Sequence, residues 1–541
     1  MPADLILTNA HIRTMDDAHP QAQAMAITAG KITRIGTDAE ITALAGPNTR
    51  RIDAGRRLVL PGFQDAHIHL LNGGTDLVDS AYLYDATSLA ELQQALATHA
   101  ARNTSPVVWG AGWASGLFGD HNLTREVLDV AVSDRPCLIY DYNFHNACIN
   151  SAAIAQIGIA DTTPDPMNGH IVRDATGRAT GMLHEEAIAW ALTFLPEVSE
   201  DTIAKGLVAA QAHANRHGIT GVLDPSVRDE QRRHYAAGQS ELTLRVAGAM
   251  LVTAADTVET ALTRLRAWRA AHPGPDFHLH SAKFFFDGGF ENRTAAVVEP
   301  YADAAGGNAP LMFTPDQIRD LFTALDADRF QIHVHCIGDA ATRAALDGFE
   351  AARRANGTWP SLHQIAHVQL VHPDDLPRFA ELGVMANMQP LWACDDPYEP
   401  NPATPLIGAA RRAMTYPFRS LIDAGAPYCI NSDWAVSSLN PFEIITIAVT
   451  REPLRARGRA EPFLPEQRMT VEEAVRGYTT HAAAASWRSH ICGALRPGLS
   501  GDFIVLDRDI FTCDPYSIAE TRVLSTHFNP HSPSKSLISL S

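Results

Sequence analysis

Cysteine is scarce and unpatterned: seven residues among 541, scattered from Cys137 to Cys513, an odd number with no CxxC pair. Neither a disulfide framework nor a zinc ribbon fits such a pattern, and a reducing compartment does. Long apolar runs are missing too. Nothing approaches the ~18 residues that span a bilayer. The opening MPADLILTNAHIRTMDD has no basic stretch followed by an apolar one, so neither a membrane span nor a secretory leader is expected. Basic charge is outnumbered, with 43 Lys and Arg against 61 Asp and Glu and a net charge of −18. Nucleic acid and anionic membranes need a clustered basic surface and are not expected partners. What remains is a chain with 46% hydrophobic and 19% charged residues. That is the balance of a protein with a packed core, expected in the cytoplasm.

Histidine is abundant, at 24 residues, and the positions matter more than the number. Residues 1–62 alternate apolar and polar side chains in LILTNAHIRTM, AMAITAGKITRIG and RRIDAGRRLVL, the pattern of short strands. A matching piece, GALRPGLSGDFIVLDRD, lies within residues 486–541, so the two ends are expected to pair into one small composite β-sandwich. Between them, residues 63–485 repeat a strand-then-helix grammar. Buried strands are read at LVLPGFQDAHIHL, GITGVLDPS, LTLRVAGAML, HSAKFFFDGG, FQIHVHCIG, HQIAHVQLV, GVMANMQP and PYCINSD. Helical patterns such as DTIAKGLVAAQAHANRHG and AATRAALDGFEAARRANG lie between them. Eight such strands predict an α/β fold of the (β/α)8 TIM-barrel type, with its active site at the C-terminal strand ends. Residues of about 82–200 exceed one strand–helix unit and hold a strand of their own, CLIYDYNFH. They are expected as an insertion over the barrel mouth, and the final HSPSKSLISLS as a frayed tail.

Six polar residues fall at these strand ends. DAHIH places His67 and His69 two apart on the first strand, with both rings on one face. Two imidazoles turned inward from an apolar strand need partners. Lys283 interrupts the apolar fourth strand, and a buried ammonium needs a counter-charge or a changed charge state. Asp287 and Glu185 are the carboxylates read as its alternative partners. His335 ends the fifth strand, His367 lies on the sixth and Asp433 ends the eighth. Imidazole and carboxylate donors without cysteine suit zinc or a similar first-row ion that keeps a coordination position open. Such an ion lowers the pKa of bound water toward ~7, and Asp433 is suited both to ligate and to carry a proton to the leaving group. His170, His278, His280, His363, His372 and His481 are read as structural.

The chain also resembles the amidohydrolase superfamily, and within it the YtcJ-like and N-substituted formamide deformylase-like group, amidohydrolase family 3. The resemblance is carried by LPGFQDAHIHL and, in the insertion, by LTREVLDVAVSDRPCLIYDYNFHNACINSAAI and DPMNGHIVRDATGRATGMLHEEA. It continues through KFFFDGGFENRTA, VHCIGDAATRAALDGFE, AHVQLVHPDDLPRFAELGVMANMQP, NSDWAVSSLNPFEIITIAVTRE and MTVEEAVRGYTTHAAAAS. It implies a binuclear metal centre of two Zn2+ ions, His67, His69 and Asp433 binding one and His335 and His367 the other. Lys283, N6-carboxylated by CO2, is implied to bridge them as a carbamate. His335, directly before CIGD, matches the family ligand; His333, two residues earlier, is left to packing or to supporting a ligand. On the insertion, His145 falls at a family position from which it could reach a substrate carbonyl, with a surface or capping role as the alternative. Glu185 stands at another family position near the site, and Trp113 is read as pocket wall or ordinary core. After RVLSTHF the chain departs from the family, lacking a closing Gly-containing strand, so the small β-domain is expected to be incompletely closed or finished by a partner.

The resemblance implies a metal-dependent hydrolase that cleaves the C–N bond of a non-peptide amide, an N-acyl or N-formyl compound. The attack is expected from metal-activated hydroxide, with Asp433 as proton shuttle and His145 at the carbonyl. Ester, carbamate or cyclic-imide hydrolysis stays open, because the metal site is indifferent to the leaving group. A one-metal aminohydrolase fits less well: those relatives carry a glutamate three residues after the fifth-strand histidine, and here Cys336, Ile337 and Gly338 follow His335. A non-catalytic regulatory relative would be expected to have lost ligands, and all six residues are present. The expected partner is a small-molecule amide and the expected assembly a homodimer. The substrate itself is not legible, because a fold does not transfer it.

Overall fold

The structure, a computed structural model, describes residues 2–113, 122–142, 144–290, 292–303, 305–395 and 403–528. The HSPSKSLISLS tail lies outside the described residues. Eight parallel strands form the central sheet: Phe63–Asp65, Ile219–Val227, Arg245–Leu251, Phe277–Phe285, Gln331–Cys336, Gln364–His367, Met385–Met388 and Tyr428–Ile430. Each is hydrogen-bonded to the next in that order. With helices packed around it, this is the (β/α)8 barrel. Local chemistry sets the helix limits. Thr314 and Gln317 form a capping box at the start of helix Pro315–Ala327, and Pro315 opens it where a missing N–H costs nothing. Helix Asp339–Asn356 turns Ala341, Ala345, Leu346, Phe349 and Ala352 inward at helical spacing. Phe284, Phe286, Phe322 and Phe349 anchor the core between strands and helices. No helix among the described residues is long and apolar enough to cross a membrane.

The first and eighth strands are the two edges of the barrel sheet, and the gap between them is bridged in the loops above. The Asp433 N–H donates to the His67 carbonyl at 2.8 Å, and the His69 N–H to the Trp434 carbonyl at 2.6 Å. The closure of the barrel therefore falls on the residues that matter for chemistry.

LVLPGFQDAHIHL, expected as one strand, is two. Leu58–Pro61 belongs to a terminal sheet and Phe63–Asp65 to the barrel, and between them the Gly62 N–H donates to the Asp502 carbonyl. Leu58–Pro61 lies beside Phe503–Leu506, which pairs antiparallel with it, so the two ends of the chain share a sheet. A second terminal sheet holds Ala3–Thr8, Ala24–Thr28, Lys31–Gly36 and Ala45–Asp53. Leu5, Leu7, Met25, Val59, Phe503 and Val505 fill the core that the two sheets share. The RVLSTHF segment itself supplies the last strand, Val523–His527, antiparallel to Phe503–Leu506. Its Thr526 hydroxyl donates to the Asn215 carbonyl at 2.6 Å, tying that edge to barrel helix Glu200–Arg216.

Where one strand was expected in the insertion, six are found: Ser80–Tyr82, Val108–Trp113, Cys137–Asp141, Asn146–Ile149, Gly169–Arg173 and Ala179–Glu185. Several are short or interrupted by glycine, as at Gly110, Gly112 and Gly181, and so carry little alternation to read. Apolar cores line this sheet, one with Leu138, Ile149 and Leu183, another with Leu83, Leu92 and Ile139.

Candidate metal centre

His67 and His69 are not on a strand, as their spacing suggested. The first barrel strand stops at Asp65, whose buried carboxylate accepts the N–H groups of His67 and Ser432, both at 3.2 Å. That turns the chain into a loop, and His69 becomes the cap residue of helix Leu70–Asp79. The two imidazoles converge nonetheless, each Nε2 lying 3.4 Å from Asp433 Oδ1. A tetrahedral ion with bonds of about 2.0–2.1 Å spaces its ligand atoms by roughly that distance. His67, His367 and Asp433 each offer an atom within 4.8 Å of the others. His367 Nδ1 is 3.9 Å from Asp433 Oδ2, and its ring centroid is 4.3 Å from that of His335. His367 thus sits between the Asp433 group and His335.

Buried polar atoms at the heart of this cluster have no hydrogen-bond partner, among them Lys283 Nζ, His335 Nε2, His367 Nδ1 and Asp433 Oδ1. Each costs ~1–3 kcal/mol if left unpaired. The last three are lone-pair donors at one end of the barrel, so the set fits a divalent cation. The backbone is strained at the same place, with His367 at φ 77° and Asp433 at φ 56°, a cost of order 1–3 kcal/mol each. The surroundings hold these conformations. Trp434 packs so closely on helix Leu70–Asp79 that a Cβ on Gly73 would come within 2.7 Å of its ring.

Burial, reinforced by Lys283 and neighbouring imidazoles, holds His67, His333, His335 and His367 well below 6.5. That direction favours the neutral imidazole that a metal ligand must be. Burial also lowers Lys283 to about 8, although Asp433 pulls the other way. Its Nζ lies 4.5 Å from the Phe285 ring centroid. Neither alternative partner pairs with it. Asp287 accepts the N–H groups of Ala296, Ile337 and Gly338 at 2.8–3.0 Å, and Glu185 is taken by His145, Thr294 and Asn292.

His145 and Glu185 reach the mouth from the inserted sheet. His145 Nδ1 is 2.8 Å from Glu185 Oε2, and its ring centroid is 5.8 Å from that of His335. Glu185 Oε1 accepts from Thr294 at 2.6 Å and Asn292 at 3.2 Å, both in the chain that follows the fourth barrel strand. Burial opposes the Glu185 anion, yet His145 and these donors bring its carboxyl down to about 2. Gly288 leaves room for it: a Cβ there would lie 2.5 Å from Glu185 Oε1. Trp113 is placed elsewhere, 1% exposed in the insertion core with Leu83, Leu92 and Ile139.

His333 Nε2 lies 3.0 Å from His67 Nδ1, so it fixes the ring that turns Nε2 toward Asp433. Asp65 was not singled out from the sequence, although it stands in the same QDAHIH motif. It joins the His67 loop to the Asp433 loop, and burial pushes its carboxyl to about 7. Of the histidines read as structural, His363 accepts the Ile332 N–H at Nδ1 and lies 3.0 Å from Asp326 through Nε2.

The amidohydrolase family profile matches residues 50–529. The protein LONG AFTER FAR-RED 3 of Arabidopsis thaliana is 28% identical over 519 residues, covering 93% of this chain and 87% of its own. An N-substituted formamide deformylase of Arthrobacter pascens is 27% identical over 564 residues, covering 97% of both chains. An uncharacterized metal-dependent hydrolase of Pyrococcus horikoshii shares the fold, with a TM-score of 0.76 and 24% identity over 94% of this chain and 99% of that one. With a match that runs through the barrel and into both terminal segments, the chain belongs to the amidohydrolase family.

Proposed function

We propose that this enzyme hydrolyses the C–N bond of a small non-peptide amide, an N-acyl or N-formyl compound, at a centre of two zinc ions. The observation that carries this reading is the convergence of buried, unpartnered Lys283 Nζ, His335 Nε2, His367 Nδ1 and Asp433 Oδ1 beside His67 and His69. The formamide deformylase relative supports the N-formyl end of the range. His67, His69 and Asp433 would hold one ion, His335 and His367 the other. When bound, the ions supply an acidified water and Lewis acidity toward the carbonyl.

The chain's own residues do the rest. The Lys283 amine, free above a pKa of about 8, adds to CO2, forming an N–C bond and releasing one proton. The resulting carbamate is an anion with two donor oxygens, which would be offered to the ions. Asp433 takes a proton from the attacking water and delivers it to the departing amine. His145, oriented by Glu185, faces the carbonyl from the insertion and donates to the developing oxyanion.

The test is elemental analysis of wild type and Lys283→Ala, both prepared with zinc and bicarbonate, alongside amine release from N-formyl and N-acyl amines and the matching esters. About two zinc ions per wild-type chain, fewer in the variant, and amine release are expected. One ion in both proteins would remove the bridging role. No retained metal would remove the reading as a whole, and ester cleavage without amide cleavage would change the substrate class.

A further inference from the structure

Five amide side chains form a continuous ladder from the fifth barrel strand to the segment that follows the eighth. Gln331, on the fifth strand, donates to the carbonyls of Leu362 and Ala485 at 2.8 and 2.9 Å. Gln364, on the sixth, donates to Gln331 Oε1 at 2.9 Å and to the Ala485 carbonyl at 3.1 Å. Asn387, on the seventh, donates to Gln364 Oε1 at 2.8 Å and to the Ala66 carbonyl at 3.2 Å. Gln389 donates to Asn387 Oδ1 at 2.9 Å and to Asn431 Oδ1 at 2.8 Å, and Asn431 donates to Asn387 Oδ1 at 2.6 Å.

The direction of this ladder is not arbitrary. Backbone carbonyls only accept, so the nitrogens of Gln331, Gln364 and Asn387 must face them. Turning Gln389 or Asn431 over would then set oxygen against oxygen. The ladder therefore ends on one free atom, Gln389 Oε1, a hydrogen-bond acceptor on a side chain 1% exposed and without a partner.

Its place is next to the chemistry. Ala66, which anchors Asn387, lies between Asp65 and His67, and Asn431 is two residues before Asp433. Gln389 is two residues beyond Asn387, toward the C-terminal strand ends, and directly precedes the turn Pro390–Trp392. The Trp392 ring in that turn stacks on His367 with centroids 5.8 Å apart. Gln389 thus lies between the strand that carries His367 and the strand that leads to Asp433.

We infer that Gln389 is a specificity-determining residue, its Oε1 accepting a hydrogen bond from the N–H of the scissile amide. The inference rests on the amide-hydrolase reading above and narrows it to secondary amides, R–CO–NH–R′. Because both Gln389 hydrogens are already committed, the side chain offers an incoming group only lone pairs. A tertiary amide leaves Oε1 unpaired, and an ester oxygen faces it lone pair to lone pair. Sites built around such a bond reject analogues that cannot make it. Holding the N–H also orients the nitrogen for the proton that Asp433 carries.

The test uses zinc-loaded wild type and Gln389→Met with the N-formyl and N-acetyl derivatives of butylamine and benzylamine, each against its N-methylated counterpart. Wild type is expected to favour the N–H member by roughly 10–100-fold in kcat/KM. In Gln389→Met, with zinc content checked, the ratio is expected to fall toward unity, the loss falling on the secondary amide. Equal turnover of both members by wild type, or an unchanged ratio in the variant, would overturn this inference alone. Turnover of none of the amides would overturn the hydrolytic reading and the inference with it. Should Gln389→Met fail to fold, the wild-type ratio still decides, since it needs no variant.

Discussion

Removing the Lys283 amine should stabilise the metal-free protein while it destroys the metal centre. The ammonium is fully buried without a hydrogen-bond partner, and burial lowers it from 10.5 to about 8. At ~1.4 kcal/mol for each tenfold change in proton affinity, carrying this charge costs the folded state about 3 kcal/mol at pH 7. The unfolded chain holds the proton more tightly, so the penalty is complete below pH 8 and fades as pH rises toward 10.5. Methionine has a similar length and no charge, so Lys283→Met removes the penalty without opening a large cavity. In chelated, CO2-free buffer its unfolding free energy from urea titration should exceed that of wild type by ~3 kcal/mol at pH 7, the gap closing as pH 10.5 is approached. With zinc and bicarbonate the order should invert, because the variant has no amine to carboxylate. A metal-free variant no more stable than wild type at pH 7, or a gap indifferent to pH, would mean that the ammonium has a partner and refute the reasoning.

Two further outcomes follow from the contacts. His333→Phe removes the group 3.0 Å from His67 Nδ1 and should weaken zinc binding about 10–100-fold in a competitive chelator titration; unchanged affinity would deny His333 an orienting role. Glu185 is held at about 2 instead of 4.5, so it contributes stability above pH 4.5 that is lost as pH falls toward 2. Glu185→Gln should be less stable than wild type by about 3 kcal/mol at neutral pH, the difference vanishing on acidification. A difference that persists at pH 2 would place the cause elsewhere.

The barrel was legible because its strands are buried on both sides and read as apolar runs, as in HSAKFFFDGG and FQIHVHCIG. Its polar interruptions were conspicuous for the same reason, and Lys283, His335 and His367 stand out against their neighbours. The inserted sheet was not legible beyond Cys137–Asp141. Its strands are short, and glycines at 110, 112 and 181 break the alternation that marks a strand. The spacing of His67 and His69 suggested a shared strand face. The carboxylate of Asp65 ends the strand first, a bond to Ser432 that no local pattern announces. Asp65 and Gln389 escaped notice because each, within its own segment, is an ordinary polar residue.

By itself the sequence determined the supply of chemistry: imidazoles, one lysine and one carboxylate at or just beyond barrel strands. Periodicity and composition are local properties, and they suffice for that. Which atoms face one another was decided only by the tertiary structure. The barrel's edges are joined through the His67 and Asp433 loops, which are far apart in sequence. Lys283 lacks a hydrogen-bond partner because Asp287 and Glu185 are occupied by other segments. The free end of the amide ladder is an acceptor because backbone carbonyls at Ala66, Leu362 and Ala485 orient every amide before it. Burial and hydrogen-bond partnership belong to pairs of segments, and only the folded chain brings those segments together.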